Sequence, residues 1–219
     1  MVYLESLFLG QQNYEPIWLR MKEFTQDRTQ QTHDQLWVLE HQAVYTLGLN
    51  GSEKHILHEL KAPLIKSDRG GQITWHGPGQ LVAYTLFDIQ RLDLGIKRCV
   101  YLLEESVIRV LNEYGLRAKR RENAPGVYIN NKKIASIGLK VRKGCSYHGI
   151  SLNINNAIDP FLDINPCGYE DLQVTTLSLE GSDTNVASVS PAIANAILDV
   201  FGFTALQTNI DNPNSRSKR

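Results

Sequence analysis

Arg69-Gly70-Gly71-Gln72-Ile73-Thr74-Trp75-His76-Gly77-Pro78-Gly79-Gln80-Leu81-Val82-Ala83-Tyr84 decides the fold class. Four glycines fall between Arg69 and Gln80. They permit positive φ angles and let a ligand approach the backbone closely. Arg, Gln, Thr and His interleave with the glycines, so the loop carries polar groups as well as space. No Gly-Lys-Ser/Thr follows, which excludes a Walker loop. The glycine spacing is wrong for a dinucleotide fingerprint, and the loop runs into a strand, Leu81 to Ile89, where a Rossmann turn would open a helix. The stretch from Asp68 to Gln80 therefore reads as largely loop, feeding a strand.

Outward from this loop, strands and helices mix without βαβ alternation. Val2 to Leu9, Gln35 to Glu40, Val44 to Leu47 and Leu64 to Lys66 have strand character. Tyr14 to Arg28 reads as an amphipathic helix with Trp18, Met21 and Phe24 on one face. Ile96 to Tyr114 is the clearest helix, because Ile96, Cys99, Val100, Leu103, Val107, Val110 and Leu111 recur at three- and four-residue steps, with Gly115 as its stop. Gly126 to Asn130 and Lys133 to Val141 flank Asn130-Asn131 and predict a hairpin. Tyr147 to Ile154 is a further strand. A last helix is expected over Pro191 to Phe201, with Ser190 as cap and Pro191 in its first turn. The expected class is α+β, a mixed β-sheet with flanking helices. Residues 1–208 read as one catalytic domain, and the polar tail 209–219 reads as disordered.

Composition narrows the function. The chain has 219 residues, 42% of them hydrophobic, enough for a substantial core. Lys plus Arg equals Asp plus Glu at 23 each. That balance favours neither nucleic-acid binding nor a polybasic membrane anchor. The N-terminus has no signal-peptide pattern, and no apolar run is long enough to span a bilayer. Three unevenly spaced cysteines make neither a disulfide framework nor a zinc pattern. A reducing cytoplasm with free thiols fits best, with no metal and no cofactor expected.

The cysteines differ in setting. Cys99 lies on the apolar face of the best helix and reads as an inert core thiol. Cys145, in Lys143-Gly144-Cys145-Ser146, falls at a turn between strands. Cys167 lies in Ile164-Asn165-Pro166-Cys167-Gly168-Tyr169, where Pro and Gly flank it and no periodicity buries it. A constrained loop of that kind can present a nucleophile, although it can equally be structural. A nucleophilic thiol needs a nearby cation to exist as thiolate at neutral pH. Lys132, Lys133, Lys140, His76 and His148 are the candidates. Lys133 stands out because it opens the apolar strand Ile134-Ala135-Ser136-Ile137-Gly138-Leu139.

The ordered blocks resemble the lipoyl(octanoyl) transferase family. Arg69 to Tyr84 looks like its signature. Leu39-Glu40-His41 with Val44-Tyr45-Thr46-Leu47-Gly48, Lys133 to Gly138, His148-Gly149-Ile150-Ser151-Leu152-Asn153 and Asn165-Pro166-Cys167-Gly168 resemble its other blocks, in order. Thr85 stands where proline is common in the family, and Ser151 where alanine is common. The resemblance implies a fold similar to the lipoate/biotin protein ligase catalytic domain. It implies Cys167 as the acyl-carrying nucleophile and Lys133 as the group that lowers its pKa and moves protons. It further implies an acyl site lined by Arg69, Gly70, Gly71, Gln72, Ile73, Thr74, Trp75 and His76, by Ser136, Ile137 and Gly138, and by Gly149, Ile150 and Ser151.

The implied reaction moves an octanoyl group from octanoyl-acyl carrier protein, through a cysteine thioester, to the lysine of lipoyl domains. Acceptors would be the lipoyl domains of 2-oxoacid dehydrogenases and the glycine-cleavage H protein. Thioester exchange is nearly isoenergetic and amide formation runs downhill, so no ATP is required. Burying an octanoyl tail would contribute roughly 5 kcal/mol at about 0.8 kcal/mol per methylene, with Val82, Ile134, Ile137 and Ile150 as candidate walls. Two rivals remain at this point. One is an ATP-dependent lipoate or biotin ligase on the same fold. The other is a non-catalytic module that binds acyl carrier protein or lipoyl domains.

Overall fold

The computed structural model describes residues 1–168 and 172–206, and the expected tail from 209 onward lies outside them. The strands β1 (Tyr3–Gln12), β2 (Asp34–His41), β3 (Val44–Leu47), β4 (Leu64–Lys66), β5 (Ile73–His76), β6 (Gln80–Leu86), β7 (Lys119–Arg120), β8 (Val127–Ile129), β9 (Lys132–Arg142), β10 (Cys145–Asn153) and β11 (Thr204–Ala205) form two sheets. The larger has eight strands in the order β11-β1-β2-β6-β10-β9-β8-β7, and the smaller has the order β4-β3-β5. β1 runs parallel to both its neighbours, and the remaining pairs of the large sheet are antiparallel. With the helices α1 (Tyr14–Asp27), α2 (Ile96–Glu113) and α3 (Val186–Phe201), this is the α+β mixed-sheet architecture expected.

Alternation along each strand gives the large sheet two different faces. Leu81 and Ala83 of β6, with Leu36 and Val38 of β2, face a dry core. That core is closed by Cys99, Leu103, Val107 and Val110 of α2 and by Val189, Ile193 and Ile197 of α3. The intervening residues Trp37, Leu39, Val82, Tyr84 and Leu86 face the other way, where Ile17 and Met21 of α1 cover them. α2 carries the predicted periodicity, except that Ile96 at its start is exposed, and its last turn closes where Leu116 N–H reaches the Leu111 carbonyl at 3.0 Å. Asn130 and Asn131 both have positive φ, as a two-residue hairpin between β8 and β9 requires.

Two expectations change. The segment Ile73–His76 forms β5, buried throughout and paired antiparallel with β3, inside a stretch read as loop. Four residues between glycine clusters are too few to show a period, and their pairing partner lies far along the chain. The last helix begins at Val186 rather than Pro191. Its cap is Asn185, whose Oδ1 accepts from Ser188 N–H at 3.0 Å, while Ser190 Oγ donates back to the Val186 carbonyl at 2.7 Å. Pro191 thus lies inside the helix, where the small and apolar residues around it bury one face.

Candidate active site

The polar face of the large sheet, together with the small sheet, builds a cleft of about 60 Å³. Its lining takes in Arg69 to Thr74 and His76 from the glycine segment, Ser136 to Gly138 from β9, and Gly149 to Ser151 from β10. Three segments far apart in sequence therefore meet in one place. Trp75 is the exception among the expected lining residues. Strand alternation turns it away from Thr74 and His76, and its ring packs edge-on against Phe161, 5.7 Å between centroids, in the small sheet's own apolar cluster. Of the candidate wall residues, Val82, Ile137 and Ile150 reach the cleft, whereas Ile134 is sealed in the dry core.

The glycine segment is held from both sides. Gly70 N–H donates to the Leu139 carbonyl of β9 at 3.0 Å, and Gly48 N–H donates to the Gln72 carbonyl at 3.2 Å. Gly71 has φ +90°, a conformation costly for any side chain. A Cβ on Gly48 would stand 2.2 Å from the Gly71 carbonyl oxygen, so the two backbones can touch only because residue 48 is glycine. Arg69 is buried, and its guanidinium locks this corner. Nε and Nη2 donate to Thr46 Oγ1 at 3.0 and 2.8 Å, and Nη1 donates to the Gly70 carbonyl at 3.0 Å.

Under the cleft lies a layer of buried imidazoles and phenols. Gln80 donates through Nε2 to the Trp75 carbonyl and to Asn153 Oδ1, so its Oε1 accepts from His76 Nδ1 at 2.7 Å. The Thr46 hydroxyl, already accepting from Arg69, turns its proton toward His76 Nε2 at 3.4 Å. His41 Nδ1 donates to the Gln12 carbonyl at 3.1 Å, which leaves Nε2 to accept from Tyr84 Oη at 2.6 Å. Burial pushes His76 down to about 3 and His41 down to about 4, so both rings are neutral at pH 7. Burial likewise pushes the Tyr14 phenol up to about 12.

His148 has φ +62°, and this departure from strand geometry brings its ring onto the same side as its neighbour Tyr147, stacked at 5.1 Å. Its Nε2 donates to Asp68 Oδ1 at 3.0 Å, and burial lowers its pKa although the Asp68 charge opposes that. Burial also acts on the Asp68 carboxyl, in the raising direction. Hydrogen bonds from His148, Tyr147 and Trp18 outweigh it and hold the carboxyl below its ordinary range. Tyr14 and Tyr84 line the cleft without having been singled out in the sequence. Tyr14 opens α1 and Tyr84 ends the Arg69 to Tyr84 stretch, but a tyrosine at either place reads as core until the fold turns it inward. Among the described residues, no group of three or more His, Cys, Asp or Glu is placed to hold a metal.

Lys133 stands on β9 just before the lining residues Ser136 to Gly138. Only 3% of it is exposed. Its ammonium donates to the Pro125 carbonyl at 3.1 Å and lies 5.3 Å from the centroid of the Tyr128 ring. The segment that follows the Cys167 turn runs beside it. Lys133 N–H donates to the Gln173 carbonyl at 2.8 Å, and Thr175 N–H donates to the Lys133 carbonyl at 3.0 Å. The single 3₁₀ turn Pro166–Gly168 carries Cys167. It packs on the glycine segment, since a Cβ on Gly168 would stand 3.1 Å from Gln72 Cγ, and Asn165 N–H donates to the His55 carbonyl at 2.8 Å. The backbone of Cys167 is therefore anchored beside the cleft. The other two thiols sit elsewhere. Cys99 is fully buried in α2, with burial pushing it up to about 12, and Cys145 begins β10, also buried and raised.

The chain matches the lipoyl protein ligase A/B catalytic domain over residues 13–198. It belongs to that family. An octanoyltransferase of Halorhodospira halophila is 51% identical over 173 residues, covering 79% of this chain and 80% of the relative. An octanoyltransferase of Methylococcus capsulatus is 48% identical over 194 residues, covering 89% and 94%. Among solved structures, a bipartite lipoate protein ligase of Thermoplasma acidophilum superposes with TM-score 0.73 at 16% identity, over 95% of this chain and 87% of that one. The lipoyl protein ligase A/B catalytic fold thus persists at an identity where sequence alone is a poor guide. In this member of the family, the cleft is formed by three backbone-rich segments over a hydrogen-bonded layer in which the His41 and His76 rings are neutral. No helix among the described residues is long and apolar enough to cross a membrane.

Proposed function

We propose that this chain is an octanoyltransferase of protein lipoylation, and that it works through a cysteine thioester. Octanoyl-acyl carrier protein delivers its acyl group to the Cys167 thiolate, and the carrier thiol leaves. The lysine of a lipoyl domain, on a 2-oxoacid dehydrogenase or a glycine-cleavage H protein, then attacks the Cys167 thioester and releases the thiolate as the amide forms. Lys133, as ammonium, holds Cys167 as thiolate before the first attack and gives its proton to the departing carrier thiolate; the amine so left neutral takes the proton of the attacking lysine in the second. The reaction runs without ATP and fits a reducing cytoplasm, where the thiol persists.

One observation carries the reading. The segments Arg69 to His76, Ser136 to Gly138 and Gly149 to Ser151 converge on a single cleft, and the Pro166–Gly168 turn is seated on its Gln72 side. The lining is apolar at Val82, Ile137 and Ile150 and offers backbone at its glycines, which suits an alkyl chain with a thioester head. The named octanoyltransferases among the relatives point to the same acyl group.

Intact-protein mass spectrometry tests it. With octanoyl-acyl carrier protein and no ATP, the protein should gain one octanoyl mass, removable by hydroxylamine and discharged by an added lipoyl domain. Cys167→Ala should lose both adduct and transfer, while Cys99→Ala and Cys145→Ala keep them. Full transfer by Cys167→Ala would end the covalent mechanism, and a strict ATP requirement would make the chain a ligase.

A further inference from the structure

Glu104 is an anomaly on α2. It lies among residues that pack the dry core, yet it is an acid and is 6% exposed. A buried carboxylate is retained only where it is paired and hydrogen-bonded. One oxygen, Oε2, lies 3.1 Å from Arg120 Nε. The other, Oε1, accepts from Gly126 N–H at 2.8 Å. The residue before Gly126 is Pro125, whose carbonyl accepts from Lys133 Nζ. The peptide joining these two residues is thus gripped at its N–H by Glu104 and at its carbonyl by the lysine. Tyr128 Oη adds a third tie by donating to the Ala124 carbonyl at 3.0 Å.

Gly126 makes the grip tight. Its φ is +135°, and a Cβ there would meet the Ala135 carbonyl at 2.7 Å and Lys133 Cε at 3.0 Å. The Gly126 backbone therefore packs directly against the end of the lysine side chain. The charged and titratable groups around this point are Tyr128 of β8, Arg121 at 4.5 Å from the centroid of that ring, Glu104 and Glu105 of α2, Arg120 of β7, which pairs with both acids, and Arg109, which pairs with Glu105.

We propose that Glu104 is a positioning residue for Lys133: by holding the Gly126 N–H it fixes the Pro125 carbonyl that aims the lysine ammonium. This rests on the proposed role of Lys133 toward Cys167. It makes α2, otherwise a packing helix, the rear support of the active-site lysine. The carboxylate acts through reach and hydrogen bonding, since Arg120 together with Arg109, which pairs with Glu105 at 3.6 Å, balances the charge of the two acids.

The test is the pH dependence of Cys167 alkylation by iodoacetamide, read by peptide mass spectrometry on the full-length protein. Glu104→Asp keeps the charge but draws the carboxylate back by one carbon from the Gly126 N–H and from Arg120, which Glu105 continues to hold. Glu104→Gln keeps the reach and loses the charge. Glu104→Asp should move the alkylation profile toward higher pH, with the rate at pH 7 falling about tenfold per unit of displacement. Glu104→Gln should stay close to the parent. A parent-like profile for Glu104→Asp, or an equal shift for Glu104→Gln, overturns the proposal. Lys133→Ala run alongside separates the two levels. If it shifts the profile and Glu104→Asp does not, only the positioning role falls. If Lys133→Ala leaves the profile unchanged, the lysine's role falls, and that of Glu104 with it.

Discussion

The two faces of the eight-stranded sheet are built from alternate residues of the same strands, and they differ in kind. Leu81 and Ala83 face a core closed by α2 and α3, where the buried groups are almost all hydrocarbon. Val82 and Tyr84, one step along, face a layer that holds His41, His76, His148, Asp68 and Arg69, most of them buried and hydrogen-bonded. The first face is tolerant in detail and expensive in bulk, because apolar packing is non-directional. The second also buries Trp37, Leu39 and Leu86, but its polar atoms are tied one to one, with His148 Nδ1 the exception among the imidazoles. Stability is expected to reside mainly on one face and chemistry on the other.

The largest expected effect breaks the dry face. Leu103 is fully buried between the sheet and α3. Leu103→Ala should cost about 2–5 kcal/mol in urea unfolding, while the activity per folded molecule stays at the parent level. A specific activity that collapsed in the remaining folded protein would mean that the two faces are mechanically coupled.

Acid should expose the polar face. His41 and His76 ordinarily titrate near 6.5, and in the folded protein burial holds them at about 4 and about 3. Below pH 6.5 the unfolded chain therefore takes up protons that the folded chain refuses. The stability is fully present above that pH and is lost as pH falls, on the order of 3 kcal/mol by pH 4 for each ring. Asp68 acts in a lower window. Its depressed carboxyl contributes stability above the ordinary carboxylate pKa of 3.8, which is lost as pH falls further. Unfolding free energies measured at pH 7, 5 and 4 should decline steadily, and His76→Gln should flatten the decline. A flat profile in the parent would show that these rings reach solvent.

Much of this division was legible in the sequence. The 3.6 period of α2 and the Asn130-Asn131 hairpin are local signals and read directly. The cleft segments were legible as family blocks, yet nothing local showed that Ser136 and Gly149 lie opposite the glycine segment. That follows from the pairing Gly149↔Gly138 and the Gly70 contact with Leu139. Trp75 was misplaced because a four-residue strand hides its alternation. Tyr14, Tyr84 and Glu104 were missed because each looks ordinary along the chain and acquires its role only from partners far away.

A smaller effect would sharpen the polar face. Thr46 accepts from the Arg69 guanidinium through its hydroxyl. Thr46→Val keeps the shape and removes the acceptor, leaving a buried cation short of a partner at a cost of about 2 kcal/mol. Because Arg69 also holds the Gly70 carbonyl, acyl transfer should fall by more than stability alone accounts for. Thr46→Ser should restore both. Unchanged transfer by a folded Thr46→Val would reduce Arg69 to a packing group.

The smallest effect tests how the dry face is edged. Asn185 and Ser190 are rival caps for α3, and they make different bonds. Asn185 accepts from Ser188 N–H, one of the donors that the first helical turn leaves without an intrahelical partner. Asn185→Ala strands that donor and should cost about 1 kcal/mol. Ser190 donates to a carbonyl one turn back inside the helix, a bond that competes with the helix's own ladder. Ser190→Ala should change stability by less than about 0.5 kcal/mol. The ordering of the two matters more than either value. If Ser190→Ala proved the costlier, the helix would begin near Pro191 in solution. The turn Val186–Ser190 would then be held only by its packing on the sheet, and Val186 and Val189 would contribute to the dry core without belonging to a helix.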